Sequence, residues 1–244
     1  MKPSRFQSTI YLASLVFLLA ACGSAGDEAD KTTDSTTTST SSTDAAPAST
    51  IVTTPQVMMV VTHKVKDFDK WLPVFEAHDS MKLANGLHNY IVGRATDDPN
   101  MIFVATKADD ANKAKAFSKD ASLKKAMQES GVVGNPSISI TNVVFQDTAQ
   151  VNSDLRVRTN ITVKDWDAWK RSFDSTRQVA TDNGLAIRAY GHDIDNNKQV
   201  VIVSAILDSA KASAYWNSDL LKQRRAASGA GEPKRFVYRV VKRY

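Results

Sequence analysis

The chain has 244 residues, 42% of them hydrophobic and 23% charged, with a formal net charge of +5 and a single cysteine. This composition excludes a collagen, a disulfide-stapled miniprotein and a multispanning membrane protein, and it suits one large domain or two small ones. Lys2 and Arg5 precede an apolar stretch from Ile10 to Ala21. The stretch is shorter than the ~20 apolar residues of a comfortable membrane-spanning helix and matches the core of a signal peptide. Residues 1–21 therefore read as a leader.

Leu19-Ala20-Ala21-Cys22 resembles the bacterial lipobox. The Cys22 thiol would take a diacylglycerol and its new amine a further chain, which meets the requirement of more than one lipid signal for stable anchoring. The expected address is export and lipid anchoring in the cell envelope, with the membrane as partner through Cys22. A lipidated Cys22 also leaves no thiol for nucleophilic catalysis, metal binding or a disulfide. Residues 22–56 are rich in Ser, Thr, Ala and Asp, as in the run from Thr36 to Thr43. Such a segment buries too little apolar surface to offset its ordering entropy and reads as a disordered tether. Lys2 and Arg5 lie in the leader, and the tether sets five carboxylates against Lys31. The remainder therefore carries about +7. An exported basic domain would not meet nucleic acid. An acidic ligand or an anionic surface is the better match to that charge.

From residue 57 onward the chain repeats itself once. Val65-Lys66-Asp67-Phe68-Asp69-Lys70-Trp71 recurs as Val163-Lys164-Asp165-Trp166-Asp167-Ala168-Trp169, an offset of 98. Asn85-Gly86-Leu87 recurs as Asn183-Gly184-Leu185, Asp110 as Asp208, and Ser130-Gly131 as Ser228-Gly229. Near Pro136 and Pro233 the offset slips by one. In repeat one (57–148) the pattern predicts a strand over 57–65 and a helix from Asp67 to about Ala84, stopped at Asn85-Gly86. Strands over 87–95 and 101–107 follow, joined by the turn Asp97-Asp98-Pro99-Asn100. A helix capped by Asp109 or Asp110 runs to about Glu129, residues 131–136 form a loop, and 138–145 form a last strand. Repeat two (153–244) gives strands over 155–163, 185–193, 199–207 and 236–242, and helices over 165–182 and 209–227. Each half reads β-α-β-β-α-β, the ferredoxin-like unit, whose uncovered sheet face needs a partner. The expected fold is α+β, with two tandem ferredoxin-like repeats closed on each other as a pseudodimeric barrel within one chain. A monomer is expected.

Both repeats resemble the dimeric α/β-barrel superfamily that includes the antibiotic biosynthesis monooxygenases. Thr62 to Phe68, Pro73 to His78, the Asp97–Asn100 turn and Gly131 to Pro136 carry the resemblance in repeat one. Repeat two keeps the skeleton but has Ile161 for His63 and Thr176 for His78, and it lacks the Asp-Asp-Pro-Asn turn. The resemblance implies the barrel fold and a pocket between sheet and helices. For activity it implies a range, from cofactor-independent oxygenases and haem-handling enzymes to proteins without known activity.

Helical spacing places Phe68, Trp71, Leu72, Phe75, His78 and Lys82 on one stripe. Strand alternation places His63 with Val57, Met59, Val61 and Val65 on the face toward the helices. His63, His78 and Lys82 are thus the candidate catalytic residues, as general base, proton shuttle or haem ligand. The competing reading is of core histidines bonded to backbone, with Lys82 reaching solvent. Trp71 and Phe75 are candidate ligand contacts. So are Arg94 and Arg188, which alternation places on strand faces pointing into the barrel, where they could instead form a polar layer between the repeats. No metal site is expected, since no HxxE, HxH or HExxH spacing occurs. No G-x-G-x-x-G, phosphate loop, G-x-S-x-G or CxxC is present, so no nucleotide, nicotinamide or flavin cofactor is expected; haem is left open by the resemblance alone. Three functions remain open: a binding module for a small, largely apolar ligand, a cofactor-independent oxygenase or haem-handling enzyme, and a non-catalytic interaction lipoprotein.

Overall fold

The computed structural model describes residues 49–244. The expected leader, Cys22 and the expected tether up to residue 48 lie outside the described residues. A first short strand, β1 (Ile51–Val52), falls inside the segment expected to be tether and pairs with Asp147 and Gln146. Ile51 and Val52 are β-branched and suit a sheet edge, so the segment expected to be tether is not tether throughout to residue 56.

Repeat one comprises β2 (Gln56–Val65), α1 (Phe68–Ala77), α2 (Asp79–Ala84), β3 (Leu87–Ala95), β4 (Met101–Ala108), α3 (Ala111–Phe117), α4 (Ala121–Glu129) and β5 (Val132–Asp147). Repeat two comprises β6 (Leu155–Thr162), α5 (Trp166–Ser175), α6 (Arg177–Asp182), β7 (Leu185–Asp193), β8 (Gln199–Ile206), α7 (Ser209–Asn217), α8 (Asp219–Ala227) and β9 (Lys234–Arg243). Aspartates 98 residues apart start equivalent helices: Asp67 accepts from the Asp69 and Lys70 amides, and Asp165 from Ala168. Asp110 and Asp208 do the same for α3 and α7. Gly86 and Gly184 (φ 68° and 77°) end the first helical segments in the left-handed region that glycine tolerates.

Each expected helix is split in two. At the first break the side chain takes the carbonyl that the helix would have used. His78 Nδ1 donates to Val74 O at 2.7 Å, and Thr176 Oγ1 donates to Ser172 O at 2.6 Å. In both cases the acceptor lies four residues back, so the side chain displaces the backbone amide and the helix restarts. At the second break an internal cap intervenes: Asp120 accepts from Ser122, and Ser218 from Leu221.

Eight strands run in the order β5-β2-β4-β3-β9-β6-β8-β7, and β7 pairs back onto β5. The barrel is closed, and each repeat supplies four neighbouring strands. Its two seams are equivalent, because the last strand of each repeat lies antiparallel to the second strand of the other, β9 on β3 and β5 on β7. At the seams backbone and ring come so close that only glycine fits. A Cβ on Gly93 would lie 2.4 Å from the Tyr238 ring, and one on Gly191 would lie 2.0 Å from Asn142 O. At the end of β9, on the β9–β3 seam, Lys242 and Tyr244 bind Glu76 on α1, holding its carboxyl below the usual carboxylate range. The expected loop over 131–136 is instead part of β5. Its register against β2 shifts between Thr62 and Lys64, opposite His63, and this irregularity accommodates Pro136.

The core has two kinds of layer. Outside the barrel, helices cover the sheet over Met59, Val61, Trp71, Leu87, Val92 and Phe117 in repeat one. In repeat two they cover it over Val157, Ile161, Trp169, Leu185 and Tyr215. Inside the barrel, strand residues alone meet: Val60, Phe103, Ala105, Tyr238, Tyr90 and Phe236. Tyr238 stacks on Phe103 at 4.3 Å between centroids.

Candidate functional site

The sheet–helix layer of repeat one holds a cavity of about 60 Å³, and His63, His78, Lys82, Trp71 and Phe75 all line it. The strand and helix periodicities converge there. His63 is 5% exposed, with its ring 5.4 Å from that of Trp71. Neither ring nitrogen has a hydrogen-bond partner. Burial pushes its pKa down to about 4, so the imidazole is neutral at physiological pH. His78 is bonded to backbone, and because a carbonyl only accepts, its proton sits on Nδ1. Lys82 does not extend to solvent. It is 6% exposed, donates to Phe75 O (3.1 Å) and Asn89 Oδ1 (2.9 Å), and lies over the Phe75 ring at 3.5 Å. Burial pushes its pKa down to about 8 against the opposing pull of Asp79, 3.6 Å away. The site has a neutral base, a weakly held proton on an amine and an apolar wall. It is small.

The equivalent layer of repeat two is roomier, with a cavity of about 130 Å³. Trp169 and Phe173 stand where repeat one has Trp71 and Phe75, and Ala180 replaces Lys82, removing a long side chain. Ile161 and Thr176 replace the two histidines. The floor is apolar, with Ile187, Ile202, Tyr215, Trp216 and Leu221. The rim is basic, with Arg177, Arg224, Arg225 and Arg235. Arg225 is taken by a bidentate pair with Glu232, both contacts at 3.0 Å, and Arg177 lies 3.5 Å from Asp174. Arg224 donates to Thr176 O, and Arg235 lies over the Trp216 ring with its buried Nε unpartnered.

No protein-family model and no curated protein sequence matches the chain. Solved structures do. An anthrone oxidase-like protein is 12% identical, covering 79% of this chain and 94% of its own, with a TM-score of 0.54. A candidate monooxygenase from Fusobacterium nucleatum subsp. nucleatum is 13% identical (77% and 93% covered, TM-score 0.50). A candidate chlorite dismutase is 15% identical (77% and 95% covered, TM-score 0.50). The α+β barrel fold is shared with these solved structures. At these identities the likeness concerns architecture, and the chemistry has to be argued from the residues.

Two of the candidate residues sit elsewhere in this barrel fold. Arg94 does not point into the barrel. It packs over the Phe68 ring at 4.3 Å on the helix side and donates to Pro99 O. The cause is a bulge between Asn89 and Ile91, which turns both Tyr90 and Ile91 inward and sends Val92 and Arg94 outward. Simple alternation fails wherever one extra residue enters a strand. The same irregularity occurs between Ile187 and Ala189 in repeat two. There Arg188 does line the barrel interior, where it binds Asp147 (2.9 Å) and Ala149 O (2.5 Å). The arginines of the repeat-two rim escaped sequence reasoning, because on α6, α8 and β9 they read as ordinary surface charges. The available signal was the loss of bulk at Ala180. Among the described residues no three His, Cys, Asp or Glu side chains converge on a metal-binding geometry, and no helix is long and apolar enough to cross a membrane.

Proposed function

We propose that this protein is a lipid-anchored binding module of the cell envelope, held by acylated Cys22, that takes a small amphipathic acid in the sheet–helix cavity of repeat two. The observation that carries the reading is the pairing of an apolar floor with Arg224 and Arg235 at the rim, neither of them in a direct salt bridge among the described residues. Ligand sites characteristically combine an apolar lining with a few placed polar groups, and arginine is well suited to a carboxylate. The closed barrel supports a monomer, since each repeat already covers the other's open face.

A second reading rests on His63. A neutral, unpartnered imidazole beside a lowered lysine is the equipment of a general base, as a cofactor-independent oxygenase would need. Its cavity of about 60 Å³ has no room for an aromatic substrate beside Trp71, so binding in repeat two is the stronger reading. Haem fits neither site. The cavity with imidazoles holds only about 60 Å³, far less than a porphyrin needs, and the one of about 130 Å³ has no histidine.

Anilinonaphthalenesulfonate, an aromatic anion that fluoresces when desolvated, tests the binding reading on the intact chain in detergent. Saturable fluorescence displaced by octanoate but not by octanol is expected, with affinity about tenfold weaker in Arg224→Gln/Arg235→Gln. Equal displacement by acid and alcohol, or an unchanged double variant, overturns it. Intact mass tests the anchor: the mature chain should start at Cys22 with two or three acyl chains, and Cys22→Ala should carry none.

A further inference from the structure

The interior of the barrel encloses a third cavity, of about 80 Å³, to which all eight barrel strands contribute. It is separated by the sheet from both helix-covered sites. Comparing the two repeats across it shows a one-sided change. On its lining, Arg158 and Arg188 occupy the positions where repeat one has Val60 and Tyr90. The repeat-one residues fill their half with carbon and one phenol, so closing the barrel does not in itself call for cations.

Arg158 is the informative one. It is partly buried, its Nη2 donates to Ser139 Oγ at 3.1 Å, and its Nε is enclosed without a partner. No carboxylate faces it among the described residues. The cavity's acidic residue, Asp147, is already bound to Arg188. Arg243 adds a further cation at an exposed position on the lining, which marks the mouth. Gln146 brings an amide whose Nε2 contacts Tyr90 Oη at 2.6 Å while its Oε1 is buried and unpartnered. Unsatisfied buried polar atoms are rare in folded proteins and point to a missing water or ligand. A water in the cavity would leave the guanidinium charge uncompensated, whereas a carboxylate compensates it, and the guanidinium fork matches its two oxygens. The rest of the lining is largely apolar, with Val143, Val201, Val203 and Phe103. At roughly 10–15 Å³ per water, the volume suits a body of about six water-sized groups.

We propose that the barrel interior is a binding site for a small organic carboxylate, of benzoate size, held by Arg158. This site is distinct from the repeat-two cavity and does not depend on it.

Calorimetric titration of the intact chain in detergent tests this, with benzoate as probe and neutral benzamide as its control. Benzoate is expected to bind, benzamide about tenfold more weakly or not at all. Arg158→Met should reduce benzoate affinity at this site about tenfold or more, and the exposed control Lys124→Gln should leave it unchanged. Arg158→Met is expected to fold, since repeat one carries Val60 there. Arg158→Lys, which keeps the charge and loses the fork, provides the second variant and should also bind more weakly. Absence of benzoate binding at millimolar concentration overturns the proposal. So does binding that both Arg158 variants leave intact, or binding that only Arg224→Gln weakens, which would place the anion in repeat two.

Discussion

Gly191→Ala is expected to destabilise the protein by about 3 kcal/mol or more, the upper end of what overpacking costs. The new methyl would stand 2.0 Å from Asn142 O, and that contact is backbone on the neighbouring strand, which no rotamer change can relieve. β5 and β7 must separate to admit it, and β7 closes the barrel only through this pairing. Gly93→Ala meets the Tyr238 ring at the opposite seam. That ring is 1% exposed and wedged on Phe103, so it too has nowhere to go. Urea unfolding of the two variants measures the effect. If Gly191→Ala unfolds at the wild-type midpoint, the seam is not as close as described.

The second large effect is a pH dependence carried by His63. In the unfolded chain the ring titrates near 6.5, and in the folded protein burial brings it to about 4. Between those values the unfolded chain binds the extra proton, so stability falls as pH falls. The contribution is fully present above 6.5 and is lost progressively toward 4. The shift corresponds to roughly 3 kcal/mol across that window. His63→Ile, which reproduces Ile161 of repeat two, should abolish this component. It should also stabilise the protein at neutral pH by about 1 kcal/mol, since it removes two unsatisfied buried nitrogens. Denaturant midpoints of both proteins measured along a pH series check it. Parallel curves would show that His63 is hydrated or hydrogen-bonded in solution.

Much of this architecture can be read from the chain because it is written twice. The copies of Asp67 at Asp165 and of Gly86 at Gly184 mark helix starts and stops at one offset, and the two open sheet faces require each other. The residues around the repeat-one cavity were accessible to periodicity, because His63, Trp71, Phe75, His78 and Lys82 obey strand and helix spacing, while a pocket between sheet and helices was implied by the family resemblance. What periodicity misses are the interruptions. A bulge has no residue signature in Asn89-Tyr90-Ile91, yet it decides that Arg94 leaves the barrel. The helix breaks at His78 and Thr176 arise because an imidazole and a hydroxyl compete for the same carbonyl, which no propensity for either residue alone would indicate. The arginine sites were hidden for a different reason. Arg158 looks unremarkable within its own strand and becomes informative only beside Val60, once the closed barrel shows that both positions face inward.

The account rests on the two repeats closing on each other within one chain, and disulfide trapping at both seams tests that most directly. Arg94 faces Arg239 across one seam and Asn142 faces His192 across the other. Directly opposed antiparallel partners lie about 4.5–5.5 Å apart, within reach of a disulfide. With Cys22→Ser as background, oxidised Arg94→Cys/Arg239→Cys and Asn142→Cys/His192→Cys chains should each give an internally cross-linked monomer. Covalent dimers at either seam, or free thiols at both, would contradict the closed pseudodimeric barrel.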